Sequence, residues 1–462
     1  MSTAPSVQYS ITMRLEAPAK PTTVSELTSA IEASGGIVTA LDVNHSDADR
    51  VRVDVTCATR NSEHAEDIVD RLKGIEGVVV GKVSDRTFLA HLGGKLTIES
   101  KLPIRNRDDL SLIYTPGVAR ICEAIVKDPS DARRLTIKRN TIAVVTDGSA
   151  VLGLGNIGPL AAMPVMEGKA ALFKRFADID AFPICLDTQD TDEIVRTVKA
   201  IAPGFAGINL EDISAPRCFE IEARLREELD IPVFHDDQHG TAIVVVAALR
   251  NALKVVGKDI ADVKLVMSGA GAAGTAVLKL LFAAGIKHAT IADQRGVVVK
   301  GRADIEPGST LEWVAEHTNA AGFSGTLKEA IVGADVFIGV SAGNLLDEHD
   351  IAKMAPGAIV FALANPNPEI EPSLAAKHAA VVATGRSDFP NQINNVLAFP
   401  GFFRGLLDAG SNVITEKMLL AAATALASCV EVSELNASYI VPSVFHPDVT
   451  ARVAEAVRKA AK

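Results

Sequence analysis

Apolar and polar positions alternate with a period of two over residues 10–15 and then take helical spacing over residues 24–33. Strand patterns return over residues 36–43 and 51–57, with the turn-rich Asn44-His45-Ser46-Asp47 between them. Helical spacing over residues 63–72 and a last strand over 78–83 complete a βαββαβ order. Residues 87–108 form a bridge in which Gly93-Gly94 suggests a hinge, and residues 101–109 are charged. From residue 110 to about 428, strand and helix patterns alternate, which predicts a mostly parallel sheet. The tail from residue 433 holds an apolar stretch, 439–444, and a helix over 448–461. No low-complexity tract and no short repeat interrupts this order.

Four apolar runs in the alternating region end at acids. Residues 141–145 run to Asp147, 182–186 to Asp187, 208–210 to Glu211-Asp212, and 231–234 through His235 to Asp236-Asp237. The last is followed by Gly240-Thr241 and a helical stretch, 242–253. A single Asp before a helix is an ordinary N-cap. Several strands delivering carboxylates to one rim suit a hard divalent cation such as Mg²⁺ or Mn²⁺, because ligands in open α/β sheets sit beyond the carboxyl ends of strands. His235 and His239 stand four apart but lack helical context and flank two acids, which disfavours zinc.

Composition narrows the field. The 462 residues suffice for about three domains, and 48% hydrophobic with 22% charged is an ordinary globular mixture. A net charge of −11 without a basic cluster excludes nucleic-acid binding as a main task. Cys57, Cys122, Cys185, Cys218 and Cys429 are scattered with no C-x-x-C pair, so a reducing, cytoplasmic setting is expected rather than a disulfide framework. Residues 1–10 are polar and lack the apolar core of a signal peptide. The longest apolar stretches, 241–249 and 418–427, fall short of a membrane span.

Two G-x-G-x-x-G matches occur. The second, Gly269-Ala270-Gly271-Ala272-Ala273-Gly274, follows a strand over 263–267 and opens a helix over 272–284. A further strand, 289–292, ends at Asp293, 19 residues after Gly274, near the spacing of the acid that binds a ribose hydroxyl. These residues are expected to bind a dinucleotide, with backbone N–H groups at the helix start on the pyrophosphate. Asp293 favours NAD, while the nearby Arg295 leaves NADP open. The first match, Gly153-Leu154-Gly155-Asn156-Ile157-Gly158, precedes Pro159 and Pro164, which are expected to break the following helix. It reads as a substrate-side loop.

The first 90 residues have the ferredoxin-like order and resemble an ACT domain, a small regulatory module that binds metabolites. A ligand-free dimerisation module fits that pattern equally. The rest resembles the malic enzymes, chiefly the compact bacterial type. The stretches that carry this are 110–119, Thr146-Asp147-Gly148, Gly153-Leu154-Gly155, 163–170, Asn209 to Asp212, Phe234 to Asp237, Phe361 to Pro366, and Phe389 to Asn395. The resemblance implies oxidation of malate with NAD(P), release of CO₂ and pyruvate, and a need for Mg²⁺ or Mn²⁺. It implies Tyr114 as general acid, Lys169 as general base and Asp236 as a supporting acid. Glu211, Asp212 and Asp237 become metal ligands, and Asn365 and Asn395 hold the substrate, Asn365 also facing the cofactor. Longer members carry a substrate-binding Arg where this chain has Ala150.

The chemistry asks for such residues. Alcohol oxidation needs a base, and burial beside a cation is expected to lower the pKa of Lys169, placed at a helix start after Gly168. Loss of CO₂ needs a Lewis acid and then a proton donor, which Tyr114 in its apolar run supplies. The expected architecture is α/β. It comprises an ACT-like domain (1–90), a catalytic domain (91–245), a Rossmann-type domain (246–430) and a C-terminal segment (431–462) packed on the catalytic part. A homodimer or higher homo-oligomer with malate as substrate, and a small-molecule effector at the first domain, complete the expectation. Two alternatives are a malolactic-type enzyme that retains NAD, and a metabolite sensor with a vestigial core.

Overall fold

Along the first strand the period of two is realised as burial. Ile11, Met13, Leu15 and Ala17 point into a core while Arg14 between them is exposed. The computed structural model describes residues 5–151 and 153–462, so residues 1–4 of the polar N-terminal stretch lie outside it. The chain divides into two units, Met1–Lys95 and Leu96–Lys462.

In the first unit, strands β1 (Ser6–Pro18), β2 (Ile37–Ser46), β3 (Arg50–Thr59) and β4 (Val79–Asp85) form an antiparallel sheet in the order β2-β3-β1-β4. Helices Thr23–Ala33 and Ser62–Lys73 bury Leu27 and Ile31, and Ile68 and Leu72, in the same core. Each pair is spaced i, i+4, so each helix turns one stripe inward. The turn expected over residues 44–47 begins later. β2 continues to Ser46, and Asp47 makes the turn by accepting from the Asp49 and Arg50 N–H groups at 2.9 and 2.7 Å.

The second unit holds two sheets. Strands β5 (Thr141–Thr146), β6 (Asp180–Cys185), β7 (Gly207–Leu210) and β8 (Val233–His235) are parallel in the order β6-β5-β7-β8. Strands β9 (Lys264–Ser268), β10 (His288–Asp293), β11 (Gly296–Val297), β12 (Val336–Gly339), β13 (Ile359–Ala362) and β14 (Val381–Thr384) run β11-β10-β9-β12-β13-β14, with only β11 antiparallel. β5, β12 and β13 are buried along their whole length, which is why their sequences are continuous apolar runs. Helix Thr241–Val256 shares one core with side chains of both sheets. With the turn before it, this is the one described helix long and apolar enough to cross a membrane, and it lies largely inside the fold.

One expectation fails here. Pro159 and Pro164 do not break the helix after the first glycine motif, which runs unbroken over Gly158–Ala177. Pro159 sits in the first turn, where its missing N–H has no helical partner to lose. Pro164 removes the helical N–H partner of the carbonyl four residues back, on Leu160, which is an exposed residue. At the other end of the chain, helix Val449–Ala460 packs on helix Phe399–Ala409. Gly401 and Gly405 make that approach possible, since a Cβ on Gly405 would lie 2.6 Å from the Ala454 carbonyl.

Candidate active site

Parallel pairing brings the carboxyl ends of β7 and β8 side by side, and the acids that follow them meet. One ligand oxygen each from Glu211, Asp212 and Asp237 lies within 4.8 Å of the other two. Asp212 has a left-handed backbone (φ 54°), its N–H donates to Asp237 Oδ2 at 3.0 Å, and its carbonyl accepts from Ala150 N–H at 3.0 Å. Asn209 Nδ2 holds Glu211 Oε2 at 2.9 Å. Asp212 Oδ2 is buried with no hydrogen-bond partner among the described residues. Burial first, then Asp237, pushes the Asp212 carboxyl up to about 8, and burial with neighbouring Asp236, Asp237 and Asp212 raises Glu211 despite Lys169. Three crowded, partly desolvated carboxylates with an orphaned oxygen fit a hard divalent cation. The two other strand-end acids do not join them. Asp147 is buried against Arg217 Nη2 at 3.0 Å, and Asp187 is exposed.

Lys169 lies in the middle of helix Gly158–Ala177, not at a helix start. Its Nζ stands 2.5 Å from Asp236 Oδ2 and 2.9 Å from Glu211 Oε1, and 4.3 Å from the centre of the Phe399 ring. Phe173, one turn on, packs edge-on against Phe399 and Phe403 and completes the apolar wall. The expected lowering of the Lys169 pKa rests on a cation beside it, and the neighbouring carboxylates act in the opposite sense. Burial works to lower it, but Asp236 and Glu211 together hold the ammonium well above the ordinary lysine range. Asn395 Nδ2 donates to the same Asp236 Oδ2 at 2.5 Å. Gly240 permits this crowding, because a Cβ there would meet Asp236 Oδ1 at 2.1 Å. His235 is buried behind the cluster, and His239 bonds Glu222 at 2.6 Å.

The first glycine motif does bring backbone close to a partner. Gly153 (φ 72°) abuts Asn365, whose carbonyl a Cβ would meet at 2.4 Å. Asn365 is exposed at this contact. Tyr114 is not brought in. It caps the short helix Arg107–Ile113, is 67% exposed, and its hydroxyl makes no hydrogen bond among the described residues.

The second glycine motif turns from β9 into helix Ala272–Ala284. Gly274 packs so tightly that a Cβ would stand 1.9 Å from the Gly269 carbonyl, while Gly271 faces open space. A cleft of ≈ 1540 Å³ begins there and reaches Asp293. The close Gly269–Gly274 approach and the open backbone at Gly271 fit a pyrophosphate. Asp293 is less free than the sequence suggested. Arg302 grips both its oxygens, and the Arg295 N–H donates to Oδ1 at 2.8 Å. Sequence reasoning quoted Asn209 within a motif without giving it a role, and missed Arg217, Arg302 and Asp304. Only Asn209 had a signal, its place two residues before Glu211 on one strand face.

A family model described as "Malic enzyme, N-terminal domain" matches residues 93–226, and one described as "Malic enzyme, NAD binding domain" matches residues 238–462. The chain is 56% identical over 451 residues to the NAD-dependent malic enzyme of Geobacillus stearothermophilus, covering 98% of this chain and 94% of that one. It is 55% identical over 369 residues to the bifunctional malic/malolactic enzyme of Bacillus subtilis, covering 80% and 90%. Among solved structures, the NAD-dependent malic enzyme of Thermotoga maritima superposes with a TM-score of 0.78 at 48% identity, covering 81% of this chain and 99% of that one.

Proposed function

The chain belongs to the malic enzyme family, and from that premise we propose that it converts (S)-malate to pyruvate and CO₂ while reducing NAD, with Lys169 as general base. The observation that supports this most is the burial of Lys169 between Asp236 and Glu211, the latter a member of the acid cluster. Glu211, Asp212 and Asp237 would hold Mg²⁺ or Mn²⁺, and residues 269–274 with Asp293 would hold the dinucleotide. When bound, NAD supplies the hydride acceptor and the cation a Lewis acid for loss of CO₂. Lys169 Nζ accepts the substrate hydroxyl proton and shares it with Asp236. Glu211 is a cation ligand in this reading, so its engagement there relaxes the hold of two carboxylates on one ammonium. Asn395 fixes Asp236, and Asn365 with Asn395 orients the substrate carboxylate. Phe399 and Phe173 exclude water from the proton transfer.

Tyr114 remains the proposed acid that protonates the enolate carbon. Ile98, Leu102, Leu112 and Val126, from the same stretch of chain, are exposed, and helices Arg107–Ile113 and Val118–Lys127 bury none of their residues. An apolar arm of that kind calls for a partner surface, and we assign it to a second copy of the chain, which would bring Tyr114 to an active site. Light scattering is expected to give a dimer or higher homo-oligomer. A monomer at full activity would remove this role for the arm.

The βαββαβ order of Met1–Lys95 supports an ACT-like regulatory unit, and the catalytic halves proposed for the rest meet near residue 245. Five free cysteines suit a reducing, cytoplasmic compartment, which cell fractionation checks. The deciding assay is NADH formation from malate with and without Mn²⁺, with the product identified. Pyruvate with free NADH is expected, lost on chelation. Lactate without free NADH would instead give the malolactic outcome named for the Bacillus subtilis relative. Run on the chain lacking residues 1–95, the same assay is expected to retain turnover and lose its response to an effector.

A further inference from the structure

We propose that Asp304 sets the choice between NAD and NADP, by occupying both arginines beside the adenosine-ribose position and so denying them to a 2′-phosphate. This deepens the reading of the cleft as the dinucleotide site and rests on it.

Asp293, Arg295, Asp304 and Glu306 line one wall of that cleft. An acid at the end of this strand pairs with ribose hydroxyls, and an arginine beside it is what usually accommodates a 2′-phosphate. Two arginines are in place. Arg302 is half-buried and fully used: Nη1 donates to Asp293 Oδ1 at 3.0 Å and to the Gly296 carbonyl at 3.4 Å, Nη2 to Asp293 Oδ2 and to Asp304 Oδ2, and Nε to Asp304 Oδ1 at 2.7 Å. Arg295 differs. Its side chain is 60% exposed, and its guanidinium is held by Asp304 Oδ2 at 3.0 Å. Its backbone N–H meanwhile anchors it to Asp293.

The two arginines and two aspartates cancel in charge, and Glu306 leaves the wall negative. A 2′-phosphate would meet that negative wall with both arginines already charge-paired to Asp304, Arg302 through Nε and Nη2 and Arg295 through Nη1. A ribose hydroxyl would not suffer, because among the described residues Asp293 Oδ2 accepts only from Arg302 and keeps a lone pair. Neutralising Asp304 releases Arg295 within reach of the ribose and makes the wall one charge more positive. Guanidinium–phosphate pairing is the strong, bidentate kind.

The test is calorimetric binding of NAD and of NADP to the full-length chain, without substrate. Asp304→Asn is expected to raise the affinity for NADP relative to NAD about tenfold or more, the scale of one charged hydrogen-bond pair. Adding Arg295→Ala to that variant is expected to cancel the gain. An unmoved ratio in Asp304→Asn, or a gain that survives Arg295→Ala, overturns the proposal. Arg295→Ala alone provides a check that needs no Asp304 variant to fold. It is expected to leave the ratio alone, and a tenfold loss of NADP affinity would show Arg295 already free and overturn the proposal too. If the unaltered chain binds neither dinucleotide, the reading of the cleft itself fails. If it binds NAD and the ratio never moves, only the role of Asp304 fails.

Discussion

Replacing Lys169 by methionine is expected to lower kcat by about 10²–10⁴-fold, the usual contribution of a positioned general base. Methionine keeps the length and the contact with Phe399 but removes the atom that takes the proton. It also leaves Asp236 and Glu211 buried beside one another with no ammonium. Breaking a buried ion pair from one side costs about 3–5 kcal/mol, so the metal-free variant should also melt earlier. A loss of activity alone would therefore not separate a base from a structural strut. Lys169→Arg does separate them. Arginine keeps the charge between the two carboxylates but does not give up its proton. Lys169→Arg is expected to recover melting temperature while kcat stays low. Substantial turnover by the arginine variant across neutral pH would end the assignment of Lys169 as base.

That lysine illustrates what the sequence could and could not carry. Its type and place in a motif were legible. Its setting was not, because Pro159 and Pro164 argued for a broken helix, and the mid-helix position follows only once that helix is intact. The sign of its pKa shift depended on two carboxylates, Asp236 and Glu211, that arrive from other strands. The acid cluster was more accessible, since each member stands at the end of an apolar run and parallel pairing of β7 with β8 brings such ends together. Asp147 shows where that logic stops. It ends a strand like the others, yet Arg217 reaches it from helix Arg217–Glu228, and no local pattern announces an ion pair across 70 residues. The glycine motif at residues 269–274 was readable because its signal is local: a strand, a tight turn and a helix in immediate succession. Asp293 lay at the right spacing, but Arg302 and Asp304 come from the irregular segment after β11, where neither helical nor strand periodicity guides the eye. Tyr114 had a family role with no local geometry to test it, and its exposure in the single chain is the form that gap takes.

The acid cluster should make the chelated protein less stable as the pH rises, and Mn²⁺ should reverse the trend. Burial and Asp237 push the Asp212 carboxyl up to about 8, against about 4 in an unfolded chain. Between those values the folded state holds a proton that the unfolded state has released. A group whose folded pKa is raised contributes fully below its unfolded pKa and loses that contribution as pH climbs through the folded one. Stability from Asp212 is therefore present near pH 4 and gone by about pH 8. A divalent cation competes for the same oxygens, so its binding releases the proton and tightens as pH rises. Saturating Mn²⁺, at about 100 times its dissociation constant, would stabilise the fold by about 2.7 kcal/mol. Melting curves with EDTA and with Mn²⁺ at pH 6 and pH 8 measure the difference directly, with Asp212→Asn as the comparison because it removes the titration and one ligand together. The Mn²⁺ shift should be larger at pH 8 than at pH 6 in the unaltered chain, and small at both in Asp212→Asn. Equal shifts at the two pH values, or an undiminished shift in Asp212→Asn, would take the cation away from Glu211, Asp212 and Asp237, and with it the electron sink that decarboxylation requires.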